Sequence, residues 1–181
     1  DLKHLRMALK LAGVIKINKE LQEKLFDEIR VSLHAELDYL QEAANLVEFR
    51  QFHAKDDKVI IPQVFSEYSS KRVLTLSYEG GDGIADTKHY PAAIRNEIGE
   101  RLFHVLCEQM YHLQALHCDS HPGNFAFRPD GSLVIYDFGC VKRLNPLLVG
   151  EMKRLVKAAL ANDYATVDSA LRDLGVRTQI G

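Results

Sequence analysis

The chain has 181 residues, enough for one domain with a hydrophobic core of its own. Hydrophobic residues make up 46% and charged residues 27%, an ordinary globular balance that argues against disorder. With 23 basic against 25 acidic side chains the formal net charge is -2, so the basic excess that nucleic-acid binding requires is missing.

The opening, Asp1-Leu2-Lys3-His4, has neither an initiator Met nor a visible signal peptide, as expected of a piece of a longer protein. Leu2, Leu5, Leu9 and Ala12 share one helical face, which predicts a short helix over 2–12 ended by Gly13. Asn18 fits an N-cap, with Glu20 and Glu23 near the positive end of a second helix. The helical period then runs through Leu21, Leu25, Ile29, Leu33, Leu37, Leu40, Ala44 and Val47. Residues 18–54 therefore read as one long helix, or as two abutting near Ser32–Ala35. The runs Val59–Val64 and Arg72–Tyr78, rich in β-branched and aromatic residues, predict two strands joined by a turn at Ser69-Ser70-Lys71. Pro62 makes the first of them an edge strand or only partly paired, and Gly80-Gly81-Asp82-Gly83 predicts a flexible loop. Apolar residues from Ile94 to Leu116 predict a largely buried helix over 91–117. A loop over 117–124 leads to a hairpin, Phe125–Phe127 and Leu133–Tyr136, turned by Pro129-Asp130-Gly131. Two helices close the chain, over 146–160 (Asn145 as cap, Pro146 at the first position) and 164–173. The order of elements is that of an α+β fold. No uncharged apolar run approaches the roughly 20 residues of a membrane helix. Cys107, Cys118 and Cys140 are odd in number and lack C-x-x-C spacing, which points to a reducing, cytoplasmic setting rather than a disulfide framework.

The chemistry is concentrated in His117-Cys118-Asp119-Ser120-His121-Pro122-Gly123-Asn124 and, beyond the hairpin, Asp137-Phe138-Gly139. Protein kinases carry H-R-D-x-x-x-x-N and D-F-G, and the spacing of Asp119 to Asn124 matches that template. Mg²⁺ is a hard cation that takes oxygen ligands, which the Asp137 carboxylate and the Asn124 amide supply. Asp119 suits the third role, orienting a hydroxyl or water and accepting its proton. Each motif alone is weak, since a lone Asp in a loop is usually a turn former. Together, in this order and on a helix–loop–hairpin, they point to a site for Mg²⁺ and ATP.

With those residues in view, the chain resembles the UbiB/AarF/ADCK-type (ABC1) atypical kinase-like family. The resemblance rests on the H-P-G-N ending of the loop and on Glu36-Leu37-Asp38 followed by Glu42-Ala43-Ala44-Asn45, similar to the family's E-x-D and E-A segments. It rests also on Arg72-Val73-Leu74 leading to Glu79-Gly80-Gly81, similar to the family's hinge. It implies a partial protein-kinase-like fold, with a partial N-lobe over 1–79 and a C-lobe over 80–181. Glu42 would be the helix-αC glutamate that pairs with an N-lobe lysine, and Glu36 and Asp38 would contact the family's K-x-G-Q extension. Backbone groups at Ser77, Tyr78 and Glu79 would meet the adenine. The bland alternative for Glu36, Asp38 and Glu42 is a solvated helix face with pairs such as Glu42 and Arg50.

The K-x-G-Q motif, the Ala-rich loop and the N-lobe lysine would all lie before residue 1. No long activation segment or A-P-E follows Gly139, which disfavours a docked protein substrate. The resemblance implies an ATPase or unorthodox kinase linked to ubiquinone and prenyl-lipid metabolism, with prenyl-lipid or quinone-pathway partners. It also implies a cytoplasmic location that extends to the inner-membrane periphery in the full-length protein. Three readings compete: an aminoglycoside- or choline-kinase-like phosphotransferase, a non-catalytic pseudokinase, and a zinc hydrolase built on His117, Asp119 and His121.

Overall fold

The computed structural model describes Lys24, residues 38–119 and residues 121–176. The helix expected over 2–12, the 18–37 stretch of the next one apart from helical Lys24, and Glu36 lie outside the described residues. Helix α1 spans Tyr39–Phe52 and starts where the Asp38 carboxylate accepts from the N–H groups of Leu40 (3.2 Å) and Gln41 (3.4 Å). It buries a narrow stripe of Asn45, Leu46 and Phe49. Arg50 donates to the Ile61 carbonyl (2.7 Å), so the pairing with Glu42 that the sequence offered gives way to a backbone contact.

The two strands expected next are mostly absent. Strand β1 is only Val59–Ile60, and Arg72–Tyr78 meets its neighbours through isolated bridges, Val64 with Leu76 and Ser70 with Val73. Pro62 has no N–H to give a ladder, and hydroxyls take over other backbone donors. Gln63 N–H bonds Ser77 Oγ (2.9 Å) and Thr75 N–H bonds Ser69 Oγ (3.0 Å). The Gly80–Gly83 segment is also not loose. Asp82 and Phe127 exchange backbone hydrogen bonds of 2.8 and 2.9 Å, and a Cβ on Gly81 would sit 2.9 Å from the Ala126 methyl and 3.0 Å from the Phe127 oxygen. A glycine is needed there because the backbones touch.

Helix α2, Ala92–Glu108, ends earlier than the apolar period suggested. One π turn, Gln109–Leu113, follows, then Gln114 in the left-handed region (φ 55°) and strand β2, Ala115–His117. The buried Gln109 side chain accepts from His117 N–H (3.3 Å), fixing the reversal. Apolar spacing does not distinguish an i→i−4 turn from the wider i→i−5 one. The helix is less buried than expected: Ile98 and Val105 are enclosed, but Phe103 is 71% exposed.

Strands β3 (Phe125–Phe127) and β4 (Leu133–Ile135) form the expected hairpin, with Phe125 opposite Ile135. Gly131, at φ 84°, closes its turn. Parallel β1 completes a sheet of order β1-β4-β3, and central β4 is buried throughout, as its unbroken apolar run requires. Strand β5, Val141–Arg143, pairs antiparallel with β2, a ribbon that three-residue segments do not announce in sequence. Helices α3 (Pro146–Leu160) and α4 (Tyr164–Asp173) match expectation, with Asn145 accepting from Leu147 N–H (2.9 Å) and Asp163 capping α4. Among the described residues no helix is long and apolar enough to cross a membrane.

Candidate active site

The loop after β2 is shaped by short-range hydrogen bonds. Asp119 Oδ1 accepts from His121 N–H (3.1 Å) and Oδ2 from the Asn124 amide (2.6 Å). These two donors, His121 first, hold the Asp119 carboxyl below its usual range. Gly123 N–H donates to His121 Nδ1 (3.0 Å), which leaves the imidazole proton on Nε2. The hairpin then brings the chain back: Tyr136 N–H bonds the Asn124 carbonyl (2.9 Å), so Asp137 emerges beside the loop that carries Asp119.

Asp137 sits in the left-handed region at φ 43°, a conformation that Asp and Asn tolerate better than most residues. Its Oδ1 accepts from Gly139 N–H (3.0 Å), and its carbonyl lies 2.7 Å from His117 Nε2. Phe138 turns inward, fully buried, with ring centroids 4.8 Å from Phe49 and 5.1 Å from His117. Full burial of such a side chain contributes about 1.5–3 kcal/mol. His117 is therefore a packing and anchoring residue beneath the loop. Phe138 acts as the plug that seats Asp137.

The outcome is a cleft of about 380 Å³ lined by Tyr39, Glu42, Asp119, Asp137, Gly139 and Cys140. Helix α1 points Glu42 into it, next to Asp137. Partial burial, and then the Asp137 charge, push the Glu42 carboxyl up, while a backbone hydrogen bond from Phe138 opposes them. Carboxylates crowded this way call for a cation. Among the described residues no group of three or more His, Cys, Asp or Glu is placed to hold a metal, which removes the support for a zinc centre at His117, Asp119 and His121. Mg²⁺ asks for less: one or two carboxylates, with water and phosphate completing its shell. The Asp137 carboxylate on the cleft, and the Oδ1 of Asn124, which is not among the lining residues and whose NH₂ is spent on Asp119, are oxygen donors that fit it.

The remaining expected site residues lie elsewhere. Asp38 caps α1, and Glu36 lies outside the described residues. Ser77, Tyr78 and Glu79 do not line the cleft. Ser77 Oγ donates to Glu79 Oε1 (3.2 Å), Glu79 pairs with Arg128 (3.0 Å), and its carbonyl accepts from Tyr136 Oη (2.5 Å). Tyr78 is 94% exposed. The sequence reading missed Asn45, Gln109 and Arg143. The signal for Asn45 was a lone amide in the apolar stripe of α1; nothing local marks Arg143.

Comparisons with known proteins agree on the region. The ABC1 atypical kinase-like domain matches residues 1–171. An uncharacterized chloroplastic aarF domain-containing protein kinase of Arabidopsis thaliana is 32% identical over 170 residues, 87% of this chain and 23% of that protein. The chloroplastic Protein ACTIVITY OF BC1 COMPLEX KINASE 7 of the same plant is 31% identical, over 79% of this chain and 20% of its own. The chain thus spans about a fifth to a quarter of these relatives' length. Among solved structures, Rv3197 of Mycobacterium tuberculosis, in complex with erythromycin, superposes with TM-score 0.75 at 26% identity, covering 96% of this chain and 44% of that one.

Proposed function

This chain belongs to the ABC1 atypical kinase-like family and has its kinase-like α+β fold, and from that premise we propose that it supplies the Mg²⁺–ATP-handling part of an atypical kinase or ATPase. The observation that carries the reading is the joint placement of Asp119 and Asp137 on one cleft, with Asn124 bonded to Asp119 behind it. Asp137 and Asn124 would hold the metal. When bound, Mg²⁺ neutralises charge that builds up on the transferring phosphoryl group. Asp119, ionised and tied to His121 and Asn124, is too weak a base to strip a hydroxyl early. Its work is to orient the acceptor hydroxyl or water and to take the proton late. Glu42 faces Asp137 from α1, the position from which it would receive the N-lobe lysine that its family resemblance implies.

The segment between Gly139 and Asn145 favours an acceptor other than a docked peptide. It runs directly into β5, paired with β2, and so offers no extended platform for a substrate chain. A small hydroxylated molecule, water, or a component of ubiquinone and prenyl-lipid metabolism remain as acceptors, the last with quinone-pathway proteins as partners. Cys118 and Cys140 are exposed and Cys107 is half-buried, which fits a reducing compartment, the cytoplasm or the periphery of the inner membrane.

The test separates the two aspartates. Asp137→Asn keeps a side chain that tolerates positive φ and removes the charge, so Mg²⁺-dependent nucleotide binding is lost. Asp119→Asn leaves binding intact and lowers turnover by about 10²–10⁴. Isothermal titration with ADP and a phosphate-release assay read both. Parent-like binding and turnover in both variants would contradict the assignment.

A further inference from the structure

The Phe138 N–H bonds Glu42 of α1, and the carbonyls of Asp137 and Phe138 are held from two further sides. On one, His117 Nε2 meets the Asp137 carbonyl at 2.7 Å. On the other, the next carbonyl, that of Phe138, accepts from the amide of Asn45 at 2.9 Å, a buried bond across 93 residues of sequence. Asn45 is 4% exposed and lies on α1, one turn beyond Glu42. Its Oδ1 accepts from Gln41 (3.2 Å) and from Arg143 of β5 (3.2 Å). Arg143 in turn forks onto Glu48 of the same helix, at 2.7 and 2.5 Å. A single amide therefore joins helix α1, the backbone after Asp137 and the strand that follows.

We propose that Asn45 is a positioning residue for Asp137: its amide fixes the Phe138 carbonyl to helix α1 and so sets the distance between the Asp137 carboxylate and the rest of the cleft. Asp137 needs such help. Its own backbone is in a sparsely populated region, and its carboxylate is held by a bond to Gly139 two residues away, which moves with it. The backbone is pinned on either side, where Tyr136 N–H bonds the Asn124 carbonyl and Cys118 N–H the Cys140 carbonyl (both 2.9 Å), and between these points the Asn45 bond ties the Phe138 carbonyl to α1. The plug formed by Phe138 limits its depth, whereas the directional bond from Asn45 limits its rotation. The amide is suited to the task because it both donates to a carbonyl and accepts from a guanidinium, which neither Asp nor Leu does in the same space. It also makes the closeness of α1 to the Asp137 segment independent of a Glu42–lysine ion pair. The inference rests on the reading of Asp137 as the cation-binding carboxylate.

The test is Asn45→Asp, which keeps the shape and the Arg143 contact but removes the donor to Phe138. Two readouts are taken on the folded 181-residue chain. Amide exchange over residues 136–142, followed by mass spectrometry without any nucleotide, is expected to quicken about tenfold in N45D while helix α4 stays as in the parent. The Mg²⁺ concentration that half-saturates ADP-induced thermal stabilisation is expected to rise about tenfold as well. Should N45D fail to fold, N45S, uncharged and too short to reach Phe138, is read the same way. Unchanged exchange overturns the proposal, as does faster exchange with an unchanged Mg²⁺ requirement, which would leave Asn45 a packing residue only. A parent chain with no Mg²⁺-dependent response overturns the reading of Asp137 and the proposal with it. Loss of the proposal alone is recognised by an intact parent response.

Discussion

At the scale of single residues the site is a problem of crowded carboxylates. Glu42 has a raised pKa, from its ordinary 4.5, because burial and Asp137 both disfavour its charge. A carboxyl raised in the folded state binds its proton more tightly there than in the unfolded chain. The contribution of Glu42 to stability is therefore greatest at low pH and falls as pH rises through the window above 4.5. Glu42→Gln removes that dependence. In metal-free buffer it is expected to unfold at a higher denaturant midpoint than the parent near neutral pH, and at about the parent's midpoint well below 4.5. Equal midpoints at both pH values would show that Glu42 and Asp137 do not burden each other. Much of this was legible beforehand: Asp119, Asn124 and Asp137 stand at template spacing, and spacing suffices because one hairpin of fixed length returns the chain. Asn45 showed only as a lone amide in the apolar stripe of α1, and the contacts of Asn45 and Arg143 were not legible. Their partners are 93 and 95 residues away, and no local pattern encodes a contact of that span.

At the scale of elements, caps and turns read well while the middle of the chain did not. Asn145 and Pro146 mark the start of α3, and the bond from Leu147 N–H to Asn145 is the reason. Asn145→Ala is expected to cost about 1 kcal/mol in urea denaturation, without changing the cleft. Arg72–Tyr78 failed as a strand because composition reports β propensity, whereas Pro62 and the Ser69 and Ser77 hydroxyls decide whether a ladder forms. The Gly80–Gly83 segment failed as a flexible loop for the opposite reason: its glycines serve close approach rather than freedom. Gly81→Ala puts a methyl 2.9 Å from Ala126 and 3.0 Å from a backbone oxygen, neither of which is the end of a flexible side chain. Thermal denaturation should report a loss of about 1–3 kcal/mol. A loss below 0.5 kcal/mol would return the segment to the status of a loose loop.

At the scale of the whole molecule, one core serves both stability and chemistry. Phe49, Leu133, Ile135 and Phe138 are all buried in a single cluster, and the same Phe138 seats Asp137. Phe138→Ala is therefore expected to cost about 3–5 kcal/mol and to abolish nucleotide binding in whatever fraction stays folded, as read by circular dichroism and calorimetry on one sample. Helix α2 stands outside that coupling on its far face, where Phe103 is mostly exposed. The α+β order of elements was readable because long periodic segments and a strong hairpin turn dominate it. The β2–β5 ribbon that carries the site was not, since three-residue strands hold too little pattern. The most direct measurement is thermal unfolding of the chain with ADP, with and without Mg²⁺, in parent and Asp137→Asn. A ligand that binds only the folded state stabilises it by about 2.7 kcal/mol at a hundredfold excess over Kd. The predicted result is a Mg²⁺-dependent rise of the midpoint in the parent that vanishes in the variant. No rise, or an equal rise in both, would contradict a cation and nucleotide site at Asp137.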